Sequence, residues 1–282
     1  MIEMNCIPAL VVTLTPELAG RHSDFVDLQP LAANHHIDVA RVRNVNDLDA
    51  LSQIAAAEPD YIFVIGWSQI CGPEFMQLAP GRVIGYHPAP LPRMRGRAVL
   101  PWTLLNDEKI TGATLFWIDE GVDTGNILEQ RFFHVAPRET ARSLYDKHMV
   151  ALDAMVRSAL QALAAGNPRR DPQDEVYATY AARRRPEDGV IDWNSPARDI
   201  DRLIRAVSAP YPGAFTHQGD NRLTIWKAHP RDSESYHGVI GQVVSVSDEH
   251  LDVITGQGVL RIEDWEFQGR SPIRLHSVLG SR

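Results

Sequence analysis

His87 and Asp123 are the side chains in this sequence best suited to move protons. They lie in one stretch, Ile84 to Leu128, which reads IGYHPAPLPRMRGRAVLPWTLLNDEKITGATLFWIDEGVDTGNIL. Imidazole is the side chain whose ordinary ionisation falls near neutral pH. A carboxylate beside it orients the ring or favours its charged form. Such a pair can serve as general acid and base on a nucleophile or a leaving group. Between the two, Arg93, Arg95 and Arg97 stand at alternate positions. Guanidinium groups suit an anionic phosphate, and each arginine could equally stabilise its own loop.

The elements that must hold these residues are legible around them. Val83-Ile84-Gly85-Tyr86 is a short apolar strand running into His87-Pro88. A histidine at the end of such a strand projects at the edge where open α/β sheets bind ligands. Prolines 88, 90 and 92 stiffen the loop that follows. A helix ends near Asn106, and the strand Ala113–Ile118 then delivers Asp119-Glu120-Gly121-Val122-Asp123-Thr124-Gly125, so that imidazole and carboxylate come from successive strand ends. Gly96 and Gly125 read as backbone permissions rather than ligands.

The paired motifs His-Pro-x-x-Leu-Pro-x-x-Arg-Gly (87–96) and Asp-Glu-Gly-x-Asp-Thr-Gly-x-Ile-Leu (119–128) resemble those of the folate-dependent formyltransferases. They occur in that family's order and at its separation. The resemblance runs from about residue 9 to the end of the chain. It implies transfer of a formyl group from 10-formyltetrahydrofolate to a primary amine, with no metal. On this reading His87 is the base or proton shuttle, and Asp123 orients it. Trp67, Ser68, Gln69 and Ile70, after the strand Asp60–Gly66, line the folate pocket, although Trp67 could equally be a packing residue. Asp119, Glu120 and Gly121 border the cofactor, although turn formation and solvation account for the two acids equally well. Tyr86, Arg93, Arg95 and Arg97 fall on the substrate side. One position departs from the family pattern Asn-x-His: Gly85 stands where the asparagine should be. That amide helps polarise the formyl carbonyl, and losing one such donor costs about a hundredfold or more in rate. Either Tyr86, Ser68, Gln69 or Asn106 supplies the contact, or the chemistry is altered.

Within the family two substrates compete. A net charge of −8 gives no general attraction to a polyanion. The Arg-Arg-x-Pro-Glu-Asp-x-x-x-Asp-Trp run at 183–193 is similar to the domain junction of the sugar-nucleotide N-formyltransferases. An amino-sugar nucleotide is therefore the expected substrate, tRNA the less favoured one. A homodimer is compatible with the resemblance, and a degenerate, catalytically weak binding protein is the reading that Gly85 and the expected short N-terminus keep open.

Strand–helix alternation over the first part predicts an α/β fold, a doubly wound, mostly parallel sheet of Rossmann-like type. The expected domains are 1–166 (catalytic), 167–194 (linker) and 195–282 (C-terminal). Pro8–Thr15 matches the family's second strand, so the first strand and most of the first helix are expected to be missing. Phe25–His36 reads as a helix that Pro30 could split, Asp38–Arg43 as a strand, Asp47–Ala57 as a helix and Glu139–Ala165 as a long helix. The arginine triplet 183–185 is expected to be structural. Ser195 is placed to cap a helix over Pro196–Val207. Five short strands after residue 212 predict a small OB-like barrel.

An apolar fraction of 44% and a charged fraction of 23% are ordinary for a globular protein. Cys6 and Cys71 offer neither a disulfide framework nor metal spacing, which favours a reducing cytoplasm. No apolar run approaches a membrane span, and no membrane partner is expected.

Overall fold

Strand β4 (Val83–His87) is apolar on both faces, and the first unit of the chain is built around it. The computed structural model describes residues 1–21, 25–231 and 236–280. The chain divides into two units, one of residues 1–99, 110–133 and 147–181, the other of 100–109, 134–146 and 182–282.

The first unit opens with a single 3-10 turn, Ile2–Met4. Then β1 (Leu10–Leu14) pairs in parallel with β2 (Asp38–Val42). Helix α1 (Gln29–Asn34) lies between them, and Pro30 sits in its first turn. The predicted helix from Phe25 is therefore shorter: Pro30 starts it, because a proline is tolerated where the amide needs no intrahelical partner. After α2 (Leu48–Ala56), β3 (Ile62–Val64) and the single-turn α3 (Pro73–Met76) comes β4, parallel to β3. Beyond it are β5 (Arg95–Gly96), α4 (Val99–Leu105), β6 (Ile110–Trp117), β7 (Ile127–His134), α5 (Ala141–Ala164) and β8 (Tyr180–Ala181), of which α4 after Val99 and α5 up to Asp146 belong to the second unit. The central sheet has the order β3-β4-β6-β7.

Successive side chains of β4 leave on opposite faces, and each face has its own core. Val83 joins Val45, Ile54, Phe75 and Ala79. Ile84 joins Ala113, Leu115, Trp117 and the α5 residues Ala151, Met155 and Ala159. This double burial is why the strand reads as a continuous apolar run.

The expectation of a mostly parallel sheet is corrected at β6, which runs antiparallel to β4 with Ile84 opposite Trp117 and His87 opposite Thr114. Apolar alternation carries no strand direction, so the sequence did not reveal it.

In the second unit, α6 (Ala197–Val207) precedes β9 (Ala214–Gln218), β10 (Asn221–Arg231), β11 (Val243–Val246), β12 (Leu251–Ile254) and β13 (Val259–Phe267). The strands form one antiparallel sheet, ordered β11-β12-β13-β10-β9. Among the described residues this sheet does not close into the expected barrel. The segment 276–280 lies across both edges instead. Its backbone bonds Val243 and Gly241 on one side, and Gly280 N donates to His217 O on the other. Ser195 does not cap α6: Pro196 holds the cap position without a side-chain bond, and Ala197 N donates to Gln257 O. Within the arginine triplet, Arg184 stacks on Trp102 and donates to Asp188 O. No helix among the described residues is long and apolar enough to cross a membrane.

Candidate active site

His87 is buried, and its two nitrogens have distinct surroundings. Nε2 lies 2.7 Å from Met94 O. A carbonyl only accepts, so Nε2 carries the hydrogen and the neutral ring keeps its lone pair on Nδ1. Nδ1 in turn faces Asp123 Oδ2 at 3.5 Å. The ring is thus oriented from one side and presents its basic nitrogen on the other.

Asp123 does not come from a strand end beside His87. Because β6 runs antiparallel, it finishes opposite Ile84, about 10 Å back along the sheet at roughly 3.3 Å per residue. The loop after it must double back. Asp119 Oδ1 accepts from Gly121 N at 3.1 Å and Thr124 Oγ1 at 2.6 Å, which closes the turn. Asp123 takes a left-handed conformation at φ 57°, which aspartate tolerates better than most residues. Its Oδ2 then accepts from Gly96 N at 2.8 Å. Gly96 itself has φ 107°, and a β-carbon there would lie 2.5 Å from Ala181 O.

The proline loop is pinned from the sheet. Thr114, opposite His87, donates to Ala89 O at 2.7 Å and accepts from Leu91 N at 3.2 Å. Gln130 Nε2 donates to Thr114 Oγ1 and to Leu91 O. From the far side, β8 pairs in parallel with β5, and Thr179 Oγ1 accepts from Met94 N at 2.8 Å. The segment 167–181 therefore folds into the first unit, with Asp171 also bridged to Ile127.

Several expected site residues are committed elsewhere. Arg95 has no exposed side-chain surface, so it is not available to a substrate phosphate. Its guanidinium meets Glu175 in a two-point contact (2.6 and 2.9 Å), Gln173 Oε1 (2.8 and 3.1 Å) and Tyr180 OH. These contacts hold the Glu175 carboxyl below the usual carboxylate range. Tyr86 is corrected too: it lies on the opposite face of β4 from His87, against the Ile84 cluster, because strand neighbours alternate. Its OH lies 3.1 Å from His148 Nδ1. Gln69 holds the β2–α2 connection, donating to Arg43 O and accepting from Val45 N. Ile70 and Glu120 are exposed. Arg93 is half-buried and has a partner, whereas Arg97 is exposed and reaches Ser68 O at 3.5 Å. Asn106 is an exposed residue of the second unit.

Two further features concern expected site residues. The space beside Gly85 is filled: a β-carbon there would sit 2.8 Å from Phe116 Cε1 and 3.0 Å from Ile118 Cγ1. Trp67 packs against the Val83 core, yet its buried Nε1 has no partner. Sequence reasoning missed Thr114, Gln130, Gln173 and Glu175. Thr114, polar in an apolar strand, was the one visible signal.

The family model described as "Formyl transferase" matches residues 4–159, and that described as "Formyl transferase, C-terminal domain" matches 184–282. HypX from Aquifex aeolicus in complex with tetrahydrofolic acid is similar in fold, with a TM-score of 0.70 at 21% identity, covering 95% of this chain and 46% of HypX. The chain therefore spans about half the length of that protein. WlaRD, a sugar 3N-formyl transferase solved in the presence of dTDP and 5-N-formyl-THF, gives a TM-score of 0.66 at 21% identity, covering 94% of this chain and 91% of WlaRD. Methionyl-tRNA formyltransferase from Clostridium thermocellum gives 0.61 at 20% identity, covering 92% and 97%. At these identities the likeness is one of fold. The two family matches together span most of the chain, which thus belongs to the formyltransferase family.

Proposed function

We propose that this protein transfers a formyl group from 10-formyltetrahydrofolate to a primary amine on a nucleotide-linked amino sugar. The observation that carries the reading is His87, tethered through Nε2 to Met94 O, with Nδ1 facing Asp123. The bound folate supplies the formyl carbon, whose bond to a folate nitrogen is exchanged for one to the amine. His87 Nδ1 takes the proton that the attacking amine gives up and passes a proton to the departing nitrogen. Asp123 stabilises the imidazolium while that proton is held. The Trp67 indole N–H, buried and unpartnered, fits an acceptor on the pterin, and the ring itself offers a flat apolar face.

The sugar-nucleotide substrate rests on charge and on scale. A diphosphate needs only one or two guanidinium groups, and Arg97 is the exposed arginine of the loop. A net charge of −8 gives no general attraction to a polyanion such as tRNA. WlaRD was solved with a nucleoside diphosphate. Free Cys6 and Cys71 fit a reducing, cytoplasmic setting. A second reading, a slow or degenerate enzyme, is favoured by one observation: Gly85 offers no side-chain amide, and Phe116 fills the space such a side chain would need.

The test supplies 10-formyltetrahydrofolate with either a panel of amino-sugar nucleotides or charged initiator methionyl-tRNA. Formylation of at least one sugar is expected. Formylation of the tRNA with every sugar refused would overturn the substrate, and no turnover with any amine would favour the degenerate reading.

A further inference from the structure

The geometry points to Gln173 as a positioning residue for Asp123. Its side-chain amide is used at both ends. Oε1 accepts from Arg95 Nε at 3.1 Å and Nη2 at 2.8 Å. Nε2 donates to Asp123 O at 2.8 Å and Gly125 O at 2.7 Å. Both amide hydrogens and both acceptor lone pairs are thereby engaged, the full capacity of the group. The two carbonyls flank Thr124, so one NH₂ grips the backbone of the doubled-back loop at the residue that carries the carboxylate.

This grip supplies what the loop otherwise lacks. Asp123 has a left-handed backbone and does not belong to a strand. Its carboxylate must nevertheless meet both Gly96 N and His87 Nδ1. Gln173 ties its carbonyl to Arg95, a fully buried guanidinium clamped by Glu175. Arg95 immediately precedes Gly96, so the anchor of the loop and the amide that receives the carboxylate are neighbours in the chain. Glutamine is suited to the task because it accepts from a cation and donates to carbonyls in one planar group. Glutamate could do only the first.

The inference rests on the formyl-transfer reading for its effect on rate, but its structural content can be measured separately. The probe is amide hydrogen exchange at Gly96, whose N–H is bonded to the Asp123 carboxylate. Asp123→Gly sets the reference, since it removes the carboxylate while permitting the backbone conformation. Gln173→Glu retains an acceptor for Arg95 but loses the donor to the loop. Gln173→Leu loses both. We expect Gln173→Glu to speed Gly96 exchange at least about tenfold, toward the Asp123→Gly value, which corresponds to losing most of one hydrogen bond. Its kcat should fall about 10- to 100-fold, as expected for a misplaced group, with KM for donor and amine within about twofold. Unchanged Gly96 exchange in Gln173→Glu overturns the proposal, even if melting temperature drops. So does faster exchange with an unaltered kcat. If Gln173→Leu fails to fold, Gln173→Glu decides alone. If the wild-type protein formylates nothing, the functional reading has failed, and Gly96 exchange still decides the role of Gln173.

Discussion

Gly85 stands directly across the β4–β6 pair from Phe116, whose ring occupies the space any side chain at residue 85 would need. The absent asparagine is therefore not a simple deletion. The neighbouring strand has filled the gap, and restoring an amide means displacing a buried ring. Gly85→Asn alone should cost about 1–3 kcal/mol, the usual range for overpacking, and should not raise the rate. Paired with Phe116→Leu it should recover part of that loss, with a coupling of at least about 0.5 kcal/mol in a double-mutant cycle. Urea denaturation of the four proteins measures this, and additive costs would refute the pairing.

His87→Gln and Asp123→Gly probe the proton path. We expect kcat to drop about 10²- to 10⁴-fold for His87→Gln, with folate affinity within about twofold. Steady-state kinetics and fluorescence titration of the folate check the two halves. A His87→Gln protein retaining a tenth or more of the wild-type kcat would remove His87 from the chemistry.

Trp67 carries a buried indole N–H with no partner, a group that costs free energy while unsatisfied. Trp67→Phe keeps the ring and deletes the donor. Its melting temperature should equal or exceed that of the wild type, while folate binding weakens about 2- to 10-fold, the worth of one hydrogen bond. Lower stability with unchanged folate affinity would make Trp67 a packing residue only.

His148 predicts a pH dependence of stability. Burial, with a smaller contribution from nearby His87, pushes its pKa down from 6.5 to about 4. The folded protein holds it neutral while the unfolded chain protonates it near 6.5. Above that pH neither state gains a proton, and the folded state has its full stability. As pH falls from 6.5 toward 4, the unfolded state binds the proton first and stability declines, by up to about 3 kcal/mol for a shift of this size. Below about 4 both states are protonated and the decline from this residue stops. His148→Gln, which retains an acceptor for Tyr86 OH, should flatten the fall across that window. Parallel curves for the two proteins would show that other groups dominate.

Much of this was legible in the sequence, for physical reasons. His87 and Asp123 could be paired because strand–loop punctuation and motif spacing mark them. The strands of the second unit could be placed because turn residues separate short alternating runs. What stayed hidden is direction and distance. Nothing in Ala113–Ile118 states that it runs antiparallel to β4, so the route of Asp123 was misread. Nor does Arg95 look different from Arg93 or Arg97 until Glu175 and Gln173 return to it from some 80 residues further on. Gln173 itself sits among prolines, arginines and acids that read as a spacer. A long-range partner leaves no mark on local composition.

The lateness of that return has a consequence for when the protein becomes competent. His87 and its strand are synthesised early, whereas the Thr179 hydroxyl that fixes Met94 is 85 positions downstream of it. A nascent chain halted before residue 173 has its imidazole, its carboxylate and its central sheet, but not the clamp that holds the histidine loop. The same segment is held by two short strands and a few side chains, so it can detach by local opening at less cost than global unfolding. The clamp on the histidine loop therefore cannot form until residues 173–179 have been synthesised, and local opening of that segment would release the loop while the central sheet stays folded.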